Sequence, residues 1–214
     1  MQNTTSFITH LVATNPLPPA ASALYEIILA GNGIFLRAHR DQLDVLFPIV
    51  THVIEGLPHL DTQITPLVPS IPATLITDML KEAHKAWNAP DGPLESLFHF
   101  CYDTMWHLAI PDQIRTALSV QPRDLDQCPS YQSCLVEIHS HHSMSAQFSQ
   151  MDDQDETGFR IYGVCGNVHQ RPQITFRVGL YGHFYPIPAS LIAELPPNLQ
   201  DTYLLTTHTR AHAT

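Results

Sequence analysis

Two histidines, a serine and an aspartate follow one another at a spacing that could build a metal site. His139 and His141 are one residue apart, Ser149 comes after seven intervening residues, and Asp152 follows after two more. Residues 133–141 are rich in apolar residues and lead into a polar loop, which predicts a strand that finishes near His141. Because side chains alternate along a strand, both histidines face the same side with Cα atoms about 6.5–7 Å apart, and both imidazoles can reach one ion.

The serine and the aspartate fit the start of a helix that would bring a carboxylate to the histidines. Ser149 is a typical N-cap residue, residues 150–156 are acidic, and Gly158 is a typical stop signal, so Asp152 falls in the first helical turn. Two nitrogen ligands and one carboxylate leave the fourth position of a tetrahedral zinc open, which is the pattern of a catalytic zinc. Zinc lowers the pKa of a bound water from about 15.7 to about 7, and hydrolysis then needs a nearby carboxylate as base and a donor for the oxyanion.

This motif resembles the complete signature of the JAMM (JAB/MPN-type) zinc metalloproteases, which hydrolyse peptide or isopeptide bonds at the C-terminus of ubiquitin and ubiquitin-like proteins. The resemblance implies that His139, His141 and Asp152 are zinc ligands. It also implies that Ser149 helps to stabilise the tetrahedral intermediate. One neighbour departs from the family pattern, because His142 stands where the family commonly has proline.

Most other interpretations of the motif fit the sequence less well. With 14 histidines in the chain, a bare His-x-His pair could lie on a surface strand by chance, but the serine and the aspartate in register make chance a poor explanation. A zinc nucleobase deaminase needs His-x-Glu and a later Pro-Cys-x-x-Cys, whereas Ser140 stands between the histidines here and no such cysteine pair follows. The string His-Glu-x-x-His does not occur. The alternative that stays open is a catalytically inactive MPN-type scaffold that binds a ubiquitin-like or conjugation-system partner.

The general base is expected on a different element. Apolar residues at helical spacing predict an amphipathic helix over residues 75–87, and a strand is predicted over residues 94–102. In the resembling family the catalytic glutamate stands at the start of the strand after the first helix, and Glu95 occupies that place, although the glycine that often follows is missing. Glu137 is the rival base, since it lies two residues before His139 and faces the same way.

Composition restricts the classes of function. Ten Lys and Arg residues against 20 Asp and Glu residues give a net charge of −10, which argues against a nucleic-acid surface. The sequence shows no signal peptide and no apolar run long enough to span a membrane, so we expect a cytoplasmic protein without membrane contact. The four cysteines show no Cys-x-x-Cys pair, which favours reduced thiols over a disulfide framework.

Two domains are predicted, a small β-rich domain over residues 1–68 and a JAMM/MPN metalloprotease domain over residues 69–214. In the first, Gly31 and Gly33 predict a hairpin turn, and the prolines of residues 60–72 indicate a linker. The remaining elements predicted from patterning are strands at 43–54, 106–111, 115–120, 160–168 and 174–181, a helix at 189–195 and a frayed tail at 206–214. We therefore expect an α/β (α+β) fold, and the resemblance implies a JAB/MPN-type mixed sheet flanked by helices, a cytidine deaminase-like sandwich.

The whole chain also resembles the protein A family of bacterial PRTRC plasmid-type systems. Such systems encode a ThiF-type (E1-like) activating enzyme, an E2-like protein and a ubiquitin-like protein. The resemblance implies that the substrate is the ubiquitin-like protein, as a precursor or in its conjugates, and that the E1-like and E2-like proteins are candidate partners. Residues 1–68 contain no cluster of catalytic residue types, so we expect them to contribute to partner binding.

Overall fold

The computed structural model describes residues 7–90 and 92–203 of the chain. It divides into two compact units, Met1–Pro69 and Ser70–Thr214. The predicted tail at residues 206–214 lies outside the described residues.

The first unit is a five-stranded sheet. Its strands are β1 (Ile8–Val12), β2 (Tyr25–Ala30), β3 (Gly33–Arg40), β4 (Leu43–Thr51) and β5 (Gln63–Pro66), and they lie side by side in chain order. The first pair is parallel and the others are antiparallel. The predicted hairpin is confirmed as β2 and β3. Gly33 at its turn has a φ of 144°, which residues other than glycine rarely adopt. A Cβ at Gly33 would also lie 2.0 Å from the carbonyl oxygen of Val50.

The prediction of a linker over residues 60–72 is wrong in its middle, where β5 pairs with β4. Pro66 closes this strand at the edge of the sheet, where a missing N–H removes no ladder hydrogen bond. The same reasoning explains why a further strand, His183–Ile187, was not predicted, because it contains Pro186 and also lies at a sheet edge. In each of the two sheets, a proline in an edge strand made the sequence of that strand look unlike a strand.

The second unit is built around a seven-stranded mixed sheet. Its helices are α1 (Ala73–Trp87), α2 (Pro129–Ser133) and α3 (Gln150–Asp155). The strands of this unit, seven in the sheet and two outside it, are β6 (Leu97–Tyr102), β7 (Trp106–Ala109), β8 (Gln113–Arg115), β9 (Val120–Pro122), β10 (Cys134–His141), β11 (Phe159–Gly166), β12 (Gln173–Leu180), β13 (His183–Ile187) and β14 (Gln200–Asp201). The sheet order is β13-β12-β11-β10-β6-β7, with β14 paired to β12, while β8 and β9 form a separate hairpin.

Strand β10 lies inside the sheet. It runs parallel to β11 and antiparallel to β6, so its backbone is paired on both sides. The predicted strand over residues 133–141 and the predicted hairpin of β11 and β12 are confirmed. A strand held on both sides is a rigid base for a site at its end.

Three local predictions need correction. The strand predicted over residues 115–120 is the turn of the β8–β9 hairpin, because Thr116 and Ser119 bond each other through backbone and side chain. The strand predicted over residues 94–102 begins only at Leu97. The helix predicted over residues 189–195 is a single 3-10 turn, Ala189–Leu191.

Helix α1 confirms the predicted amphipathic helix. It buries one face, formed by Ile76, Met79, Leu80, Ala83 and Ala86, and it contacts β7 of the sheet. None of the helices among residues 7–90 and 92–203 is long and apolar enough to cross a membrane. The fold is thus α+β with mixed sheets and few helices, which confirms the predicted class.

We expect the second unit to fold without the first. A truncated protein that begins at Pro69 keeps the whole seven-stranded sheet and α1, so it should show a cooperative unfolding transition by circular dichroism and should keep the metal affinity of the full chain. It should lose affinity for protein partners. An insoluble truncated protein would show that the two units need each other to fold.

Candidate metal centre

The two histidines of the motif meet at the end of β10. His139 and His141 face the same side of the strand, as predicted, and their Nε2 atoms are 3.0 Å apart. Ligand atoms around a tetrahedral zinc at about 2.0–2.1 Å from the metal are about 3.3 Å from one another. The imidazoles are therefore close to the separation that one zinc ion requires.

Asp152 is brought to the histidines by the start of α3. Ser149 is the N-cap of α3, as predicted, and Ser149 and Asp152 form a reciprocal capping box. The Ser149 N–H donates to Oδ2 of Asp152 at 2.5 Å, while Oδ1 lies 3.3 Å from Nε2 of His139. One carboxylate oxygen thus orients the side chain and the other faces the site.

The donor set, two imidazole nitrogens and one carboxylate, is one that a divalent cation such as zinc can bind. Ligand atoms of His139, His141 and Asp152 all lie within 4.8 Å of one another. Nδ1 of His141 lies 3.3 Å from the carbonyl oxygen of Ser145, and because a carbonyl only accepts, this contact places the proton on Nδ1. The Nε2 lone pair of His141 is then directed at the site, as a metal ligand must be.

A close backbone approach holds the loop that carries Ser145. Gly166 ends β11 beside this loop, and a Cβ on it would lie 2.3 Å from the backbone nitrogen of Ala146. Only glycine fits at this distance. The loop after His141 is therefore fixed against the neighbouring strand.

Glu95 approaches the centre from a different part of the chain. It lies just before β6, is 2% exposed, and its Oε1 atom has no hydrogen-bond partner among the described residues. That oxygen is 4.0 Å from Nε2 of His141. A buried carboxylate oxygen without a partner is costly, and a site that supplies a cation or a proton at this point would relieve the cost.

The β8–β9 hairpin holds this glutamate in place. The Glu95 N–H donates to the carbonyl oxygen of Thr116 at 2.9 Å. The side-chain amide of Gln113 accepts from the Leu97 N–H at 2.7 Å and donates to the Leu97 carbonyl at 3.3 Å, so it replaces a missing strand partner. No sequence signal identified Gln113, because it lies in a short segment of mixed composition.

The pKa values follow from burial and from these contacts. Burial raises the pKa of Glu95 to about 7, with His139 opposing the rise and Asp152 adding to it. Burial by itself would lower the pKa of His139, but the contact with Asp152 outweighs it and raises that pKa. Burial would likewise raise the pKa of Asp152, and the hydrogen bond with His139 outweighs it and keeps that pKa low. Burial and the neighbouring His139 lower the pKa of His141.

A second cluster lies further back on the same face of β10. The ligand atoms of His99, Cys134 and Glu137 also lie within 4.8 Å of one another. The Nη1 atom of Arg160 lies 2.8 Å from the Cys134 sulfur and 2.9 Å from Oε2 of Glu137, so the protein supplies its own cation here. Burial would raise the pKa of Glu137, but His99 and Arg160 outweigh it and lower that pKa. None of the four cysteines forms a disulfide.

The structure thus brings together every site residue singled out from the sequence, with Glu137 bonded to Arg160 and with Oε1 of Glu95 left without a hydrogen-bond partner among the described residues. No protein-family model matches the chain, and no curated protein matches its sequence. The JAMM resemblance therefore depends on the spacing of the motif.

The purified protein is expected to bind one zinc ion per chain. The double variant His139→Ala, His141→Ala should lose it, and His107→Ala, which removes an exposed histidine paired with Asp103, should keep it. Affinity should fall as the pH drops, because the ligands must be deprotonated, and the raised pKa of His139 should make the fall begin above the ordinary histidine value of about 6.5. Elemental analysis and zinc titration measure both; full zinc retention in the double variant contradicts the assignment.

A pH dependence of stability is expected for the protein in chelator. The pKa of Glu95 is about 7 in the folded state against 4.5 in the unfolded chain, so the folded state holds more protons in between and its stability falls as the pH rises through this window. Glu95→Gln removes this titration, so the unfolding free energy of the variant relative to wild type should rise by up to about 3 kcal/mol between pH 4.5 and pH 8. Urea unfolding at pH 4.5 and pH 8 measures it, with Glu82→Gln on the surface of α1 as the control that should show no such change.

Proposed function

We propose that this protein is a zinc-dependent peptidase or isopeptidase of the JAMM type, with a JAB/MPN-type fold in its second unit. The observation that carries the proposal is the convergence of His139, His141 and Asp152, with the unpartnered oxygen of Glu95 facing them. Zinc, when bound, supplies a Lewis acid and lowers the pKa of a coordinated water. The inactive scaffold is the alternative, and a buried carboxylate aimed at the ligands is a feature that a scaffold does not need.

Glu95 suits the role of general base. A base works best when its pKa is near the working pH, and burial brings the pKa of Glu95 to about 7. It comes from the chain before β6, whereas the ligands come from β10 and α3, so it can reach an attacking water from another side. Once protonated, the same carboxyl can deliver the proton to the leaving amine.

Ser149 suits the role of oxyanion donor. Its Oγ accepts a hydrogen bond from the Asp152 N–H at 3.2 Å, so its own O–H proton is left to donate. The residue is exposed and stands one helical turn from Asp152. A donor placed in advance where charge develops is the common device for stabilising a tetrahedral intermediate.

Two clefts meet at the centre, which favours a polypeptide as substrate. One is lined by Leu97, Val120, Leu125, Tyr131 and Glu137, the other by Met144, Ser149, Gln150 and Gln154. Both include Glu95 and Asp152, together with the exposed side chains of Leu118 and Met151. A chain that enters by one cleft and leaves by the other would cross the ligands and the base.

The substrate we propose is a bacterial ubiquitin-like protein, cleaved after its C-terminus as a precursor or in a conjugate. This rests on the resemblance of the motif to the JAMM family and of the chain to the protein A family of PRTRC systems. The E1-like and E2-like proteins of such a system are then candidate partners for the first unit.

The test compares two isosteric variants on the ubiquitin-like protein encoded beside the gene, with cleavage followed by mass spectrometry. Glu95→Gln should keep zinc and lose cleavage by at least about 10²-fold, the usual effect of removing an acid–base group. Glu137→Gln should lose much less, because Arg160 already holds that carboxylate and lowers its pKa. The reverse result makes Glu137 the base, and zinc binding without cleavage by the wild type favours the scaffold.

A further inference from the structure

Helix α3 carries the third metal ligand but has little to hold it in place. It has six residues, and none of these described residues is buried. An isolated helix of this length is unstable in water, since helices shorter than about 12–15 residues are marginal even with favourable sequences. The capping box between Ser149 and Asp152 fixes the first turn internally but does not attach it to the sheet.

Arg177 on β12 provides that attachment. Its Nη1 donates to Oδ1 of Asp153 at 2.5 Å, and its Nε and Nη2 donate to Oε2 of Glu156 at 2.8 and 2.5 Å. The guanidinium carbon also lies 3.8 Å from the ring centre of Phe148 and 3.6 Å from that of Phe184. Charge, hydrogen bonds and stacking all act on one buried side chain.

These contacts lie on both sides of the ligand in the chain. Phe148 comes directly before the N-cap, Asp153 directly after Asp152, and Glu156 is the C-cap. Strand β12 is itself hydrogen-bonded along both edges, to β11 and β13, so Arg177 projects from a rigid element. Arg177 therefore contacts the segment that carries Asp152 both before and after that residue.

We propose that Arg177 is a positioning residue for the metal centre: it clamps the segment of residues 148–156 against β12, so that the Asp152 carboxylate stays directed at His139. The inference rests on the proposed zinc site. Arg177 is not itself among the residues that line the two clefts; it acts on the segment through the side chains of Asp153 and Glu156, the second of which lines the first cleft. Groups that orient metal ligands in this way typically change metal affinity or activity by about 10–100-fold when they are removed.

Lysine cannot replace this arginine. The planar guanidinium reaches two carboxylates with separate N–H groups and stacks between two rings, whereas an ammonium is a single point of charge. Burial raises the pKa of Glu156 and Arg177 opposes that rise, so removal of the guanidinium leaves a buried acid without its partner. Both effects loosen the segment that holds Asp152.

The experiment measures zinc affinity by competition with a chromophoric chelator in the full-length wild type, Arg177→Lys and Arg177→Met. Circular dichroism and urea unfolding in EDTA establish folding separately from metal binding. Both variants are expected to bind zinc at least about tenfold more weakly while folded. A residue with a structural role alone would lower the unfolding free energy and leave the zinc affinity of the folded protein unchanged.

The matched control is Arg37→Met in the first unit. Arg37 is also a mostly buried arginine paired with a buried glutamate, Glu26, at 2.5 Å, and its loss should lower stability without changing zinc affinity. Should Arg177→Met not fold, the double variant Arg177→Met, Glu156→Met removes the unpaired charge and should still bind zinc at least tenfold more weakly than wild type. Unchanged zinc affinity in the folded Arg177 variants overturns the clamp. A wild-type protein that binds no zinc overturns the metal centre itself.

Discussion

The contact between His139 and Asp152 is the interaction on which the centre depends. The imidazole and the carboxylate lie 3.3 Å apart in a half-buried place, and each shifts the pKa of the other toward the charged form. Without a metal, Asp152 favours the protonated form of His139, whose charge balances the carboxylate. A divalent cation at the same point would balance Asp152 and the two nitrogen lone pairs together. Proton and metal thus compete for one position, and the fold around them keeps the ligands in reach of either.

Two side chains near the centre take the place of backbone hydrogen-bond partners. Gln113 pairs with the backbone of Leu97 as a neighbouring strand would, and the hydroxyl of Ser140 accepts from the Ser96 N–H at 3.0 Å. Both contacts act on the start of β6, where Glu95 leaves the sheet. A strand that begins irregularly can place a carboxylate where a regularly paired strand cannot. Its backbone N–H and C=O groups must then find side-chain partners, as those of Ser96 and Leu97 do here.

Strand β10 carries two clusters of possible metal ligands on one face, and charge distinguishes them. At its end, the Nε2 atoms of His139 and His141 lie 3.0 Å from each other and within 4.0 Å of carboxylate oxygens of Asp152 and Glu95. Two to seven residues earlier along the strand, Arg160 inserts a guanidinium between Cys134 and Glu137 and stacks on Tyr131. A cation repels a second cation in a half-buried place, so the first cluster is suited to a metal and the second is already neutralised.

What the sequence by itself determined was local. Alternation along a strand put His139 and His141 on one face, and a capping box between residues three apart set the start of α3, because both depend only on neighbours in the chain. The tertiary structure decided three other features: the edge strands, the β8–β9 hairpin and the contacts of Arg177 with α3. Arg177 bonds Glu156 across 21 residues, and Ser96 bonds Ser140 across 44. Such pairs have no periodicity to read, since the sheet order alone brings them together. The contacts that support the site therefore could not be predicted, although the grouping of His139, His141 and Asp152 could.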